Sequence, residues 1–349
     1  MKISSALLFV IAICWLPMGS CKQPDATKKD TRIRALIIDG QSNHGVWPKT
    51  TAMMKDYLEQ TGLFKVDVAR TAFTWQGPHS DNDVTLGKER REGLLLAYPI
   101  AGLSTTAVPE PVPDPAFHPD FSNYDVVISN FGWQAAPWPK ETQTALEMFV
   151  SGGGGLVLTH AADNSFGDWE QFNKMIGLGA WGDRNEKNGP YVYFSKDGRL
   201  VRDTTAGAAG SHGKQYAFLI TLRDSTHAIT QGMPTEWLHA QDELYDRLRG
   251  PAQEMNILAT AFSDIVANDS PFSDFAGTDR HEPMAMTVAY GNGRVFHTPL
   301  GHADYSWECV GLMTLFQRAT EWAATGKVTL PLPEDFPTAD SVRVRKWSH

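Results

Sequence analysis

The run Ile33 to Ile38 (IRALII) is continuous, apolar and rich in branched side chains, the pattern of a strand buried on both faces of a parallel sheet, and it ends at Asp39-Gly40. Beyond it, Pro48 suits the first turn of a helix. Met53, Met54, Tyr57 and Leu58 then fall on one helical face before Gly62 stops the segment. Lys65 to Arg70 (KVDVAR) reads as a second strand and Tyr124 to Ser129 (YDVVIS) as a third. A helix is predicted over Lys140 to Val150, and four glycines lead from it into a strand at Gly155 to Thr159 (GLVLT). This β-α-β-β-α-β rhythm predicts an α/β domain built on a doubly wound, mostly parallel sheet.

The second half is less regular. Strands are predicted at 216 to 222, 255 to 262, 284 to 290 and 293 to 298, with a closing helix from Trp307 to Ala324. Gly291-Asn292 separates the last two strands and is a two-residue hairpin signal. Residues 71 to 121 carry many Pro, Gly and polar residues without a clear period, and 177 to 215 are Gly-rich and charged. Both read as long loop insertions. No repeat and no interdomain linker interrupts the pattern, so residues 32–326 are expected to form one domain and 327–349 a tail along its surface.

The N-terminus has a separate pattern: a positive Lys2, an apolar stretch from Ala6 to Leu16, then Met18-Gly19-Ser20 before Cys21. The stretch is too short to span a bilayer. Leu16 to Cys21 (LPMGSC) resembles a bacterial lipobox. The expectation is therefore a signal over 1–20, a lipid on Cys21, a tether over 21–31 and attachment to a membrane of the cell envelope. An ordinary cleaved signal is the other reading. Of the three Cys, Cys14 leaves with the signal and Cys21 carries the anchor, so Cys309 stands alone and no internal disulfide is expected.

Composition narrows the partners. A net charge of -9 leaves no basic surplus for phosphates, which argues against nucleic acid. Eleven Trp, nine Tyr and seventeen Phe supply rings that stack on sugar faces as readily as they fill a core.

Candidate chemistry sits where strands end. GGGGLVLTHAA places His160 at the carboxyl end of a strand, the ligand-facing edge of an open parallel sheet. GNGRVFHTPLGH brings His302 to a second such end. Two imidazoles there can trade protons near neutral pH, or hold a divalent metal with a carboxylate such as Glu282. No HxH or HxxxH spacing supplies two ligands locally, so the expectation is a site without cofactor or metal. LHAQDELYD offers Asp242 and Glu243 as acceptors for sugar hydroxyls or a proton. Neighbours on a strand face opposite ways, so one of the two is expected to be structural. Asn43-His44 after the first strand and His212 in Ser211-His212-Gly213 add loop candidates, and Trp133, Trp169 and Trp181 are candidate stacking platforms. For each of these a packing or capping role is the plainer alternative.

Taken together, IRALIIDGQSNHGVW, GGGGLVLTHAADNSFGDWEQFNKMIGLGAWG, HAITQGMPTEWLHAQDELYDRL, HEPMAMTVAYGNGRVFHTPLGH and WAATG resemble, in order and spacing, the ThuA-like (trehalose utilisation) family of the class I glutamine amidotransferase-like superfamily, over residues 32 to 326. The resemblance implies a flavodoxin-like domain that lacks the superfamily's Cys nucleophile, since Thr159, His160 and Ala161 occupy that turn, and a role in handling disaccharides, particularly those oxidised to 3-keto sugars. By resemblance His44, His160, Asp242, Glu243, Glu282 and His302 fall where the family's motifs carry polar groups. From the residues themselves we expect His160, His302, Asp242 and Glu243 to be catalytic, with His44, Asn43, Trp133, Tyr245, Glu282 and His212 contacting a carbohydrate. A non-catalytic sugar-binding or scaffolding lipoprotein is the alternative. The segments 71–121 and 211–213 depart from the family pattern and put substrate specificity in question.

Overall fold

A computed structural model of the chain describes residues 1, 30–77 and 88–348. The expected signal, Cys21 and the tether as far as residue 29 lie outside the described residues. Contacts group Arg32–His349 into one unit.

The opening apolar run is β1 (Ile33–Ser42), which continues four residues past Ile38. Its side chains alternate. Ala35 and Ile37 join a cluster with Met53, Met54 and Leu58 of α1 (Trp47–Glu59), while Leu36 and Ile38 join a second cluster on the other face. Burying each such aliphatic side chain contributes about 1.5–3 kcal/mol, and two buried faces explain why the strand is apolar throughout. β2 (Phe64–Gln76) follows and pairs parallel to β1; it runs on through the first residues of the supposed loop. α2 (Lys88–Ala97) and the short β3 (Thr106–Ala107) also fall in that excursion, where turn-forming residues obscured them.

The parallel part of the sheet runs β2, β1, β4 (Val126–Ser129), β5 (Gly155–Thr159) and finally β14 (Gly293–Thr298). Counting these strands alone, the order is 2-1-3-4-5, that of the flavodoxin-like doubly wound fold. α3 (Lys140–Ser151) and α4 (Glu170–Ile176) cover the face of the second cluster, and α6 (Val310–Thr325) covers the first beside α1. β14 turns at Gly291-Asn292 into β13 (Arg280–Tyr290), with Tyr290 opposite Gly293, as the hairpin signal predicted. From β13 the sheet extends antiparallel through β12 (Met255–Ser263), β9 (Tyr216–Leu222) and β10 (Glu236–Asp242).

The Gly-rich stretch 177–215 is more ordered than its composition suggests. It holds β6 (Tyr191–Phe194), β7 (Leu200–Asp203) and β8 (Ser211–His212), the last paired with β11 (Tyr245–Asp246). The closing helix is preceded by α5 (Asp304–Trp307), because Cys309 takes an extended backbone between the two. In the tail, Leu330, Phe336, Val342 and Trp347 pack against the first cluster. Among the described residues no helix is long and apolar enough to cross a membrane.

Candidate active site

The order of the parallel strands reverses between β1 and β4, and doubly wound sheets bind ligands in the crevice outside the strand ends at such a point. His44 follows β1, Trp133 follows β4, His160 follows β5 and His302 follows β14. Four turns far apart in sequence thus open onto one place.

His160 takes the sharpest of these turns. Thr159 is extended, and His160 switches to φ 44°, the left-handed region that a residue with a side chain adopts only when its surroundings enforce it. The ring is then held at both nitrogens: Nδ1 lies 2.8 Å from the Pro299 carbonyl and Nε2 2.9 Å from the Tyr245 hydroxyl. A carbonyl only accepts, so Nδ1 carries the proton and Nε2 presents its lone pair to the tyrosine O–H. Burial and the neighbouring His302 push the His160 imidazole down, which favours that neutral form.

Around it the rings of His44 and His302 stand edge to face, with centroids 4.7 Å and 5.3 Å from His160 and 4.6 Å from each other. Glu243 closes the group, its Oε2 3.1 Å from His302 Nδ1 and 3.7 Å from His160 Nε2, its Oε1 3.6 Å from His212 Nδ1. Burial would raise the Glu243 carboxyl, but His302, His212 and His160 hold it well below the ordinary carboxylate range. One donor atom each from His44, His160, Glu243 and His302 lies within 4.8 Å of all the others. Three imidazole nitrogens and a carboxylate oxygen form a donor set suited to a divalent transition metal.

The choice between the adjacent carboxylates is decided by the backbone. The β9–β10 ladder slips between His239 and Asp242, and Asp242 turns into the protein. Its Oδ2 accepts from Gly301 N–H at 2.8 Å and meets His239 Nε2 at 2.8 Å, while Oδ1 accepts the N–H groups of Glu243 and His302 at 2.9 and 3.0 Å. All four acceptor positions of Asp242 are thus taken inside the protein, an arrangement suited to positioning, and of the two adjacent carboxylates Glu243 is the one that faces the cavity.

That cavity, about 510 Å³, is lined by Asn43, His44, Trp133, Glu243, Tyr245 and His302 among others, a size suited to a small ligand. His160 is packed directly behind the wall. Asn43 Oδ1 accepts the Trp133 N–H at 2.9 Å, so the turns after β1 and β4 are tied together. His212 stacks on Tyr245 at 5.8 Å, and Trp181 meets Tyr245 edge-on at 4.8 Å. Trp169 stacks on Phe172 and is buried, a packing residue. Glu282 is not part of the site: it is buried on β13, where Oε1 accepts from Thr278 Oγ1 at 2.7 Å and Arg280 Nε at 2.8 Å. It lies two residues into β13, and its carboxylate is engaged by Thr278 and Arg280 rather than turned into the cavity. Asn164, Gln241, Gln215 and Phe272 also line the cavity and were not anticipated, since single polar or aromatic residues carry no local signal of a site.

The family model for ThuA, described as trehalose utilisation, matches residues 104–323. A ThuA-like protein of known structure from Parabacteroides merdae ATCC 43184 is 39% identical, with a TM-score of 0.73 over 90% of this chain and 98% of that one. This chain belongs to the ThuA family. A second ThuA-like protein, from Bacteroides uniformis ATCC 8492, is 15% identical with a TM-score of 0.49, over 88% of this chain and 97% of that one. Comparison with curated proteins returns no match.

In this ThuA-family protein the turn after β5 has no thiol to attack with, and Cys309 is buried ahead of α6 beside His239. The titratable groups gathered at the site are imidazoles, a carboxylate and a phenol.

Proposed function

We propose that this protein is an enzyme that acts on a disaccharide or a glycoside carrying a 3-keto group, by proton transfer at the floor of this cavity. The observation that carries the reading is the convergence of His44, His160, His302 and Glu243, with the Tyr245 hydroxyl on His160. A protein that only holds sugar needs rings, amides and carboxylates on its walls. Burying titratable groups against one another is costly, and it is the usual mark of a reacting centre.

A ketone at C3 acidifies the adjacent C–H. Removing that proton and stabilising charge on the keto oxygen begins isomerisation, or elimination in which the C1–O bond breaks and the leaving oxygen takes a proton. Addition of water to the resulting enone then completes hydrolysis, so no protein nucleophile is needed. Glu243 and the imidazoles of His302 and His160 provide proton acceptors, Tyr245 provides a donor, and Trp133 and Trp181 offer faces for the sugar. The family's association with trehalose utilisation supports the substrate class. The LPMGSC string further supports placing the protein at the cell envelope on a Cys21 lipid. Loss of membrane association in Cys21→Ser cells would be expected, and its persistence would remove the anchor.

The test is an NMR time course of the protein with trehalose and with 3-keto-trehalose. Conversion of the keto sugar is expected. Binding of either sugar, seen as line broadening, without conversion would make the protein a sugar-binding module.

A further inference from the structure

We infer that His44, His160, His302 and Glu243 together bind one divalent transition-metal ion. The inference rests on the proposed function for the position of the site, but it does not need the ligand to be a sugar.

Three observations lead to it. The first is distance. With metal–ligand bonds of about 2.1 Å, two donors on one ion stand about 3.0 to 4.2 Å apart. The four donor atoms lie within 4.8 Å of one another, so the widest pair needs to close by roughly half an ångström. The second is donor type. Calcium and magnesium take oxygen shells, whereas three nitrogens and one oxygen select manganese, iron, cobalt, nickel or zinc. The third is support behind the ligands. His160 Nδ1 is committed to the Pro299 carbonyl, which aims Nε2 at the centre, and one Asp242 carboxylate fixes the backbones of both Glu243 and His302. Outer partners of this kind accompany ligating histidines and set their tautomer. Glu243 Oε2, buried among these rings, has no donor aligned with it among the described residues.

No ligand pair comes from one helix or one short motif. Each of the four side chains follows a different strand, β1, β5, β10 or β14, so the site exists only once the sheet has formed. Binding would take His160 Nε2 from the Tyr245 hydroxyl and release that O–H toward the cavity, beside an ion that can polarise a carbonyl oxygen.

The test uses the full chain, stripped with EDTA and titrated with Co²⁺ while visible absorption and heat are recorded, with Zn²⁺ and Mn²⁺ as competitors. One Co²⁺ per chain is expected, with binding weakened about a hundredfold in both Glu243→Gln and His302→Ala. In the unmutated protein diamagnetic Zn²⁺ should produce the large ring ¹⁵N shifts of ligation at three of the eleven histidines, a readout that survives if a variant fails to fold. No saturable binding of any of the three ions, or binding indifferent to both substitutions with fewer than three histidines shifted, overturns the inference. Stoichiometric binding without turnover of any glycoside leaves the ion site standing and removes the carbohydrate reading. Turnover by a metal-free protein that binds no ion does the reverse.

Discussion

The Asp242 carboxylate accepts the backbone N–H of His302 at 3.0 Å, across 60 residues of sequence. The same oxygen takes the N–H of Glu243. One buried anion thus sets the spacing of two side chains that meet in the cavity, and His239 on its other oxygen balances its charge. Burial alone would push the His239 imidazole down, but the Cys309 sulfur and Asp242 bring it up to about 10.

Asp242→Asn places an NH2 where an acceptor is required, so at least one of the four donors loses its partner. The expected cost is about 3 kcal/mol of stability, the scale for breaking a buried charged pair. Thermal unfolding should fall by several degrees. Turnover at temperatures where the variant is folded should drop at least tenfold, because His302 and Glu243 are no longer held. A variant as stable and active as the parent would show that Asp242 positions nothing.

Tyr245→Phe removes one oxygen and keeps the ring between Trp181 and His212. Loss of the donor to His160 should lower kcat by about 10²- to 10⁴-fold, the usual range for general acid–base catalysis, with KM and the unfolding temperature little changed. Burial and Glu243 push the phenol well above its ordinary value, so it serves as a donor at neutral pH. Equal changes in KM and kcat, or a large loss of stability, would point to a structural role.

These features were unequally legible. Local pattern was enough for β5 ending on His160, for the Gly291-Asn292 hairpin and for the parallel sheet, because each is written in a few consecutive residues. β10 (EWLHAQD) was missed because its buried positions, Trp237, His239, Ala240 and Asp242, include two polar groups that satisfy one another rather than an apolar alternation. The same slip in the ladder decided between Asp242 and Glu243, which alternation alone left open. Glu282 misled because nearness to a strand end does not say which way a side chain turns: its carboxylate is committed to Thr278 and Arg280. The four-residue cluster was hidden for a different reason: its members lie in four turns spread from residue 44 to 302, and only strand order brings them together.

Gly132 sits where the turn after β4 touches the turn after β1. A Cβ there would overlap Ser42 Oγ and press on Asn43 Oδ1, the atom that holds the Trp133 N–H. Gly132→Ala should therefore cost about 1–3 kcal/mol through overpacking and displace Asn43 and Trp133 from the cavity wall. Calorimetry should show weaker ligand binding in the folded variant. Unchanged affinity would mean that the wall adjusts freely.

Asp246 gives the pH dependence its sign. It is buried, with Glu282 facing it, and only partly offset by Arg247; Ser263 and Asn268 complete its shell, and Arg280 pairs with Glu282. Burial first, then the Glu282 charge, pushes its carboxyl up to about 7. In the unfolded chain the value is about 3.9. Between these limits the folded protein holds the proton that the unfolded chain releases, so this group favours folding fully below pH ~4 and progressively less as pH climbs to 7. Urea midpoints measured from pH 4.5 to 7.5 should therefore show a falling component in the parent. Asp246→Asn, which has no charge to gain, should lack it, whatever its absolute stability. Parallel pH profiles for the two proteins would mean that Asp246 is already ionised throughout that range.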